Sequence, residues 1–133
     1  MRMSFACGVA AAASLLISAS PAHAAPAPAP APVPGTFSLT VSGDENTWTR
    51  GVRLTCPGGA GNGHPDAKGA CAAIQAAGGN FDRLKEPPGV CTLEHAPVTA
   101  TAKGTWNGRP VDWRRSFVNL CELHGATGPV FRF

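Results

Sequence analysis

Nine residues in the second half of the chain, Gly89 to Pro97 (GVCTLEHAP), place a large apolar side chain, Leu93, two residues after Cys91 and four before Pro97. No alternating strand pattern claims Leu93. A cross-linked Cys91 would fix one end of this peptide, and the ring of Pro97 restricts φ at the other. A short peptide held extended can pair with the edge of a peptidase cleft as a substrate strand does. Ordering it beforehand lowers the entropy cost of association. If both halves stay tethered after a cut, rejoining is favoured over release. The pattern alone also allows Leu93 to be an ordinary buried leucine.

Other chemistries find less support. Ser116, His95 and Asp112 match a Ser-His-Asp set by type, but Ser116 lies on a patterned strand without a G-x-S-x-G turn, so catalysis is not expected. No C-x2-C or H-x3-H pair occurs, and His23, His64, His95 and His124 are far apart, so no metal is expected. The glycine-rich PGGAGNG at Pro57–Gly63 lacks the Lys-Ser/Thr of a phosphate loop, and no cofactor is expected. Eleven Lys and Arg stand against eight acids, scattered apart from Arg114-Arg115, which does not suggest nucleic acid or membrane binding.

The ends bound the working part. Arg2, an apolar run from Phe5 to Ile17, and Ala22-His23-Ala24 have the layout of a secretory signal peptide over residues 1–24, cleaved after Ala24. The apolar run is too short to span a bilayer. Removing 24 of 133 residues leaves 109, enough for one domain, with a net charge of +2. Cys7 leaves with the signal. Cys56, Cys71, Cys91 and Cys121 remain, an even count that reads as two disulfides in an exported chain. Four cysteines allow three pairings. Pairing sequence neighbours would close loops of about 15 and 30 residues, worth roughly 3 and 3.6 kcal/mol of chain entropy.

The elements that must position the loop follow from periodicity. Residues 25–35, opening APAPAPAPVP, read as an extended tether, leaving a domain over 36–133. Phe37, Leu39 and Val41 alternate over Thr36–Ser42, and Val52, Leu54 and Cys56 over Trp48–Cys56, predicting two strands. Pro65–Ala77 predicts a helix, with Ala67, Ala70, Cys71 and Ile74 on one face and Gly78-Gly79 ending it. Val98, Ala100 and Ala102 alternate over Pro97–Lys103. Asn107-Gly108 predicts a hairpin turn, and Val111, Trp113, Arg115 and Phe117 alternate along the return. Cys121–Ala126 is expected as a short helix and Val130–Phe133 as a last short strand. The three tryptophans are expected in the core and on a dimer face; His64 and His124 are expected in local hydrogen bonds or facing solvent. The sum is an α+β two-layer sandwich: an antiparallel sheet with one main helix packed on one face.

From about Leu39 to Phe133 the chain resembles the Streptomyces subtilisin inhibitor family. The blocks are LTCPGGAGNGHP, ACAAIQAAGGNFDRL, VCTLEHAPVTATAKGTWNGRPVDW, FVNLCEL and GPVFRF, in order, with four cysteines at matching spacing. The resemblance implies five antiparallel strands with two helices, disulfides Cys56–Cys71 and Cys91–Cys121, and a homodimer through a face of the sheet. It implies a secreted inhibitor whose partner is a subtilisin-like, or chymotrypsin-like, serine protease. The inhibited bond would be Leu93–Glu94, with Leu93 filling the enzyme's primary pocket. Cys91 and Thr92 would precede it on the substrate-like strand, and Glu94, His95, Ala96 and Pro97 would follow. Asn119, two residues before the last cysteine, would hydrogen-bond beneath the loop. His95-Ala96 departs from the family's Tyr-Asp, so a supporting aromatic and a carboxylate are absent there. Relatives with Lys or Arg at the position of Leu93 inhibit trypsin-like enzymes, which Leu93 should not. The resemblance also allows inhibition of a secreted metalloprotease, or a binding module that has lost inhibition.

Overall fold

A computed structural model describes residues 8–9, 19–27, 34–59, 61–86 and 89–133. Most of the expected signal segment and residues 28–33 of the expected tether lie outside the described residues. Among those described, no helix is long and apolar enough to cross a membrane. The chain divides into units at residues 1–30 and 31–133, and the second contains the sheet and helices.

Four strands, β1 (Gly35–Gly43), β2 (Thr49–Cys56), β3 (Val98–Trp106) and β4 (Arg109–Phe117), form one antiparallel sheet in the order β2-β1-β3-β4. Period-two alternation drives the inward side chains: Phe37, Leu39 and Val41 from β1, Leu54 and Cys56 from β2, and Val98, Ala100 and Ala102 from β3 are buried. The outer face carries Thr36, Ser38, Thr40, Thr101 and Lys103. The Thr40 and Thr101 hydroxyls hydrogen-bond across β1 and β3, as do those of Thr99 and Ser116, at 2.8 Å, across β3 and β4. Close approach of β1 and β3 demands glycine: a Cβ on Gly104 would lie 1.9 Å from the Thr36 carbonyl oxygen. Asn107 (φ 48°) and Gly108 (φ 76°) both sit in the left-handed region, the two-residue turn that matches strand twist.

Helix α1 (Ala67–Ala76) buries Ala70, Cys71 and Ile74 against this sheet. Pro65 lies just outside it, because the Asp66 carboxylate accepts from Gly69 N–H at 3.0 Å and caps the first turn. At the other end Gly79 N–H donates to Ile74 and Gly78 N–H to Gln75, the paired bonds of a left-handed helix stop. Helix α2 (Leu120–Thr127) is one residue longer at each end than the expected Cys121–Ala126.

The expected fifth strand does not form. Gly128–Phe131 is a 3-10 turn, and the sheet has four strands. Gly128 turns the chain at φ 60°, Pro129 offers no N–H to a ladder, and consecutive Val130 and Phe131 are both buried. A strand sends successive side chains to opposite faces, so it could not bury both in one core. The Val130 carbonyl is taken instead by buried His64, whose Nε2 lies 2.9 Å away, while its Nδ1 accepts from Asp66 N–H at 3.0 Å. The Asp66 donor fixes the tautomer, with the proton on Nε2. Trp106 is buried against Phe37, and half-buried Trp113 packs on Phe81 and Phe131 while donating to Asp82 at 2.9 Å. Trp48 precedes β2 and is 38% exposed, so it is not a core residue.

Half-buried His124 near the end of α2 has its pKa lowered from 6.5, first by desolvation and then by Arg132. A Phe131 backbone hydrogen bond and the Glu86 charge partly oppose this. Protonating it costs more in the folded protein than in the unfolded chain. Stability should therefore be level above about pH 6.5 and decline as the pH falls below it. Denaturant titrations across that range check this, with His124→Gln flattening the decline. Gly104→Ala should force β1 and β3 apart and cost about 1–3 kcal/mol, read as a lower denaturation midpoint.

Candidate functional site

The segment from Gly89 to Pro97 carries no helix or strand and enters β3 directly. Three ties shape it, all to the start of α2. The first is covalent: Cys91 is bonded to Cys121, with Cα atoms 5.7 Å apart. A second disulfide, Cys56–Cys71, pins α1 to the end of β2 with Cα atoms 5.4 Å apart. The pairing is thus between sequence neighbours.

The second tie is the side chain of Asn119, which is 4% exposed. Asn119 is the N-cap of α2, and its Oδ1 accepts from Glu122 N–H at 2.9 Å. That donor fixes the orientation of the amide, because the loop side then receives Nδ2. Nδ2 donates to the Glu94 carbonyl at 2.8 Å and to the Thr92 carbonyl at 3.3 Å. These carbonyls flank Leu93 on either side. The third tie is main-chain: Ala96 N–H donates to the Val118 carbonyl at 3.0 Å.

Between these ties Leu93 is 100% exposed, so it is no core leucine. Thr92, Glu94, His95 and Ala96 are exposed, while Cys91 and Pro97 are half-buried where the loop meets the domain. An amide pointing at two main-chain oxygens two residues apart holds the backbone on both sides of Leu93 without engaging the side chain between them. Such an arrangement presents a side chain; it supplies no nucleophile or base. Ser116 bonds Thr99 across the outer sheet face, and Asp112 sits opposite Lys103, so Ser116, His95 and Asp112 are not assembled as a triad. Among the described residues no group of three or more His, Cys, Asp or Glu could hold a metal ion.

The domain also braces the loop from behind. Glu86 N–H donates to the Gly125 carbonyl at 3.1 Å, and the Glu86 carboxylate pairs with Arg132. Neither the Glu86–Gly125 bond nor the Ala96–Val118 bond has a sequence signal, since main-chain contacts leave no residue preference. The role of Asn119 does have one, in Asn119-Leu-Cys-Glu122, the spacing of a helix N-terminus. On the side of Glu94 to Pro97 lies a groove of about 480 Å³, completed by Asp44, Thr47 and Trp48 from the β1–β2 turn and by Leu120.

The chain is similar along most of its folded part to known proteins. It is 42% identical over 100 residues to subtilisin inhibitor-like protein 7 of Streptomyces ambofaciens, covering 71% of this chain and 92% of that one. It is 40% identical over 86 residues to the transglutaminase-activating metalloprotease inhibitor of Streptomyces mobaraensis, covering 63% and 58%. Among solved structures it resembles Streptomyces caespitosus sermetstatin, crystallised in complex with Bacillus licheniformis subtilisin. That likeness has a TM-score of 0.56 and 33% identity, covering 74% of this chain and 96% of that one. The family model described as subtilisin inhibitor-like matches residues 33–119, a span that takes in all four strands, α1, Asn119 and the exposed Leu93. With that span, and with relatives at this identity over most of its length, the chain belongs to the subtilisin inhibitor-like family.

Proposed function

We propose that this protein is an exported inhibitor of subtilisin-like serine proteases that acts as a slowly cleaved substrate mimic, with Leu93–Glu94 as the inhibited bond. The observation that carries the reading is the fully exposed Leu93 between two carbonyls held by one buried amide, Asn119. The complex of sermetstatin with subtilisin supports the choice of partner.

The chemistry follows from the ties. The serine of the enzyme attacks the Leu93 carbonyl carbon, and the C–N bond to Glu94 breaks, freeing an amine at Glu94. On the acyl side, Cys91 is still covalently held to Cys121. On the amine side, the Asn119 contact to Glu94 and the Ala96 contact to Val118 hold the new end nearby. Keeping the amine close gives it a high effective concentration against water, so the bond re-forms. Leu93 then sets specificity. Large apolar pockets accept it, whereas a trypsin-type pocket would bury its carboxylate unpaired, costing about 1–3 kcal/mol.

The reading includes export through residues 1–24 with cleavage after Ala24, and a tether over 25–35 ahead of the domain. Two disulfides suit an oxidising compartment. It includes a homodimer through a face of the sheet; sedimentation velocity tests this. The name of the Streptomyces mobaraensis relative favours a second reading, inhibition of a secreted metalloprotease. Leu93→Gly separates the two, abolishing subtilisin binding while sparing a contact made at another surface.

The deciding experiment mixes the purified protein with subtilisin and sequences the slowly formed product. A new N-terminus beginning at Glu94 is expected; cleavage elsewhere would overturn the assignment. Inhibition constants should favour subtilisin over trypsin by about tenfold or more, and Leu93→Lys should reverse the order. Asn119→Ser keeps an N-cap acceptor but cannot reach the loop. With the cap kept, it should cost about 1–3 kcal/mol of stability, the loss of the two loop hydrogen bonds. It should also speed hydrolysis of Leu93–Glu94 by roughly 5–100-fold, the loss of two hydrogen bonds.

A further inference from the structure

In the unit spanning 31–133, the large apolar side chains exposed among the described residues are Trp48, Val90, Leu93, Val118 and Leu120. Val90 and Leu93 are on the loop, and Val118 pairs with it through its carbonyl. Leu120 and Trp48 line the groove whose other wall is Glu94 to Pro97. These exposed apolar side chains therefore collect at one end of the domain, the mark of an interaction surface.

Trp48 is held in place before any partner arrives. Its indole lies against Gly43, where a Cβ would sit 2.3 Å from Nε1. Gly43 N–H donates to the Trp48 carbonyl at 2.9 Å, and the Arg50 guanidinium stands 5.6 Å from the ring centroid. A fixed aromatic ring that is still 38% exposed loses little entropy on burial and offers much area. Area is what the loop lacks. A stable protein–protein contact takes about 800 Å² and roughly 20–30 residues from each partner. Gly89 to Pro97 supplies nine residues.

We propose that Trp48 is a second contact point for the same protease, docking on the rim of the cleft on the side that receives Glu94 to Pro97. The proposal rests on the inhibitor reading and adds a partner surface to it. Any protein engaging the loop from that side enters the groove that Trp48 walls. The occupant is the rim of the enzyme, because the groove is continuous with the peptide that enters its cleft.

Hydroxyl-radical footprinting of the full chain, alone and with subtilisin, reads Trp48 directly. Trp48 oxidation should fall at least fivefold in the complex, together with that of Leu93, while Trp113 stays unchanged as an internal reference. Trp48→Ala should raise the inhibition constant at least tenfold, mainly through faster dissociation, while the cleaved bond stays Leu93–Glu94 and the disulfide-held fold is kept, read by circular dichroism. Gly43→Ala, which displaces the indole without removing it, should give a similar loss. Unprotected Trp48 in a formed complex, or an inhibition constant within twofold of the parent, overturns the second contact and leaves the inhibitor reading standing. No inhibition by the unaltered protein overturns both. Protection of Trp48 that grows with concentration in the absence of enzyme assigns the surface to a second copy of the chain and overturns the proposal.

Discussion

The carboxamide of Asn119 faces two ways, and the geometry of the loop depends on it. One end of the amide completes the first turn of α2, and the other end holds the main chain on both sides of Leu93. An amide is suited to this because it carries an acceptor and a two-proton donor on one rigid plane. Burial at 4% exposure strengthens the arrangement, since water does not compete and leaving either end unpaired would be costly. The position of the loop is therefore the position of the α2 N-terminus, and Cys121, two residues further on, ties the same point covalently.

That places a demand on the rest of the fold: α2 must not move. Leu123 and Thr127 are buried, the Thr127 hydroxyl donates to the Leu123 carbonyl at 2.7 Å, and the turn that follows sends Val130 and Phe131 into the core. His64 then locks the Val130 carbonyl from the far side of the domain, just ahead of α1. Forming a fifth strand here would have pointed one of those two side chains away. The 3-10 turn forgoes a few ladder bonds and fixes the helix that carries the loop.

How much of this was legible in the sequence follows the range of each interaction. Asn107-Gly108, Gly78-Gly79 and the alternation of Phe37, Leu39 and Val41 are local, and each predicted the element that forms. Val130–Phe133 misled because a short apolar tail reads alike as strand or buried turn; Gly128-Pro129 just before it is the local clue against a strand. Which tryptophans are core was not legible for another reason: Trp106 is buried and Trp48 partly exposed because of where tertiary packing places each, Trp48 against Gly43 and beside Arg50. The sequence singled out Leu93, but it could not distinguish presented from buried, because that depends on a carbonyl at Val118 and an amide at Asn119, more than twenty residues away.

The departure at His95-Ala96 gains meaning from the same geometry. The ties that shape the loop reach its main chain, at the carbonyls of Thr92 and Glu94 and the N–H of Ala96, or its disulfide at Cys91. Main-chain groups are the same whatever side chain they carry. A loop stiffened in this way takes its rigidity from α2, through Cys91 and its main chain, so His95-Ala96 leaves the frame in place. On the proposed reading stiffness and specificity are then separable properties, the first set at Asn119 and Cys121 and the second at Leu93 and its exposed neighbours.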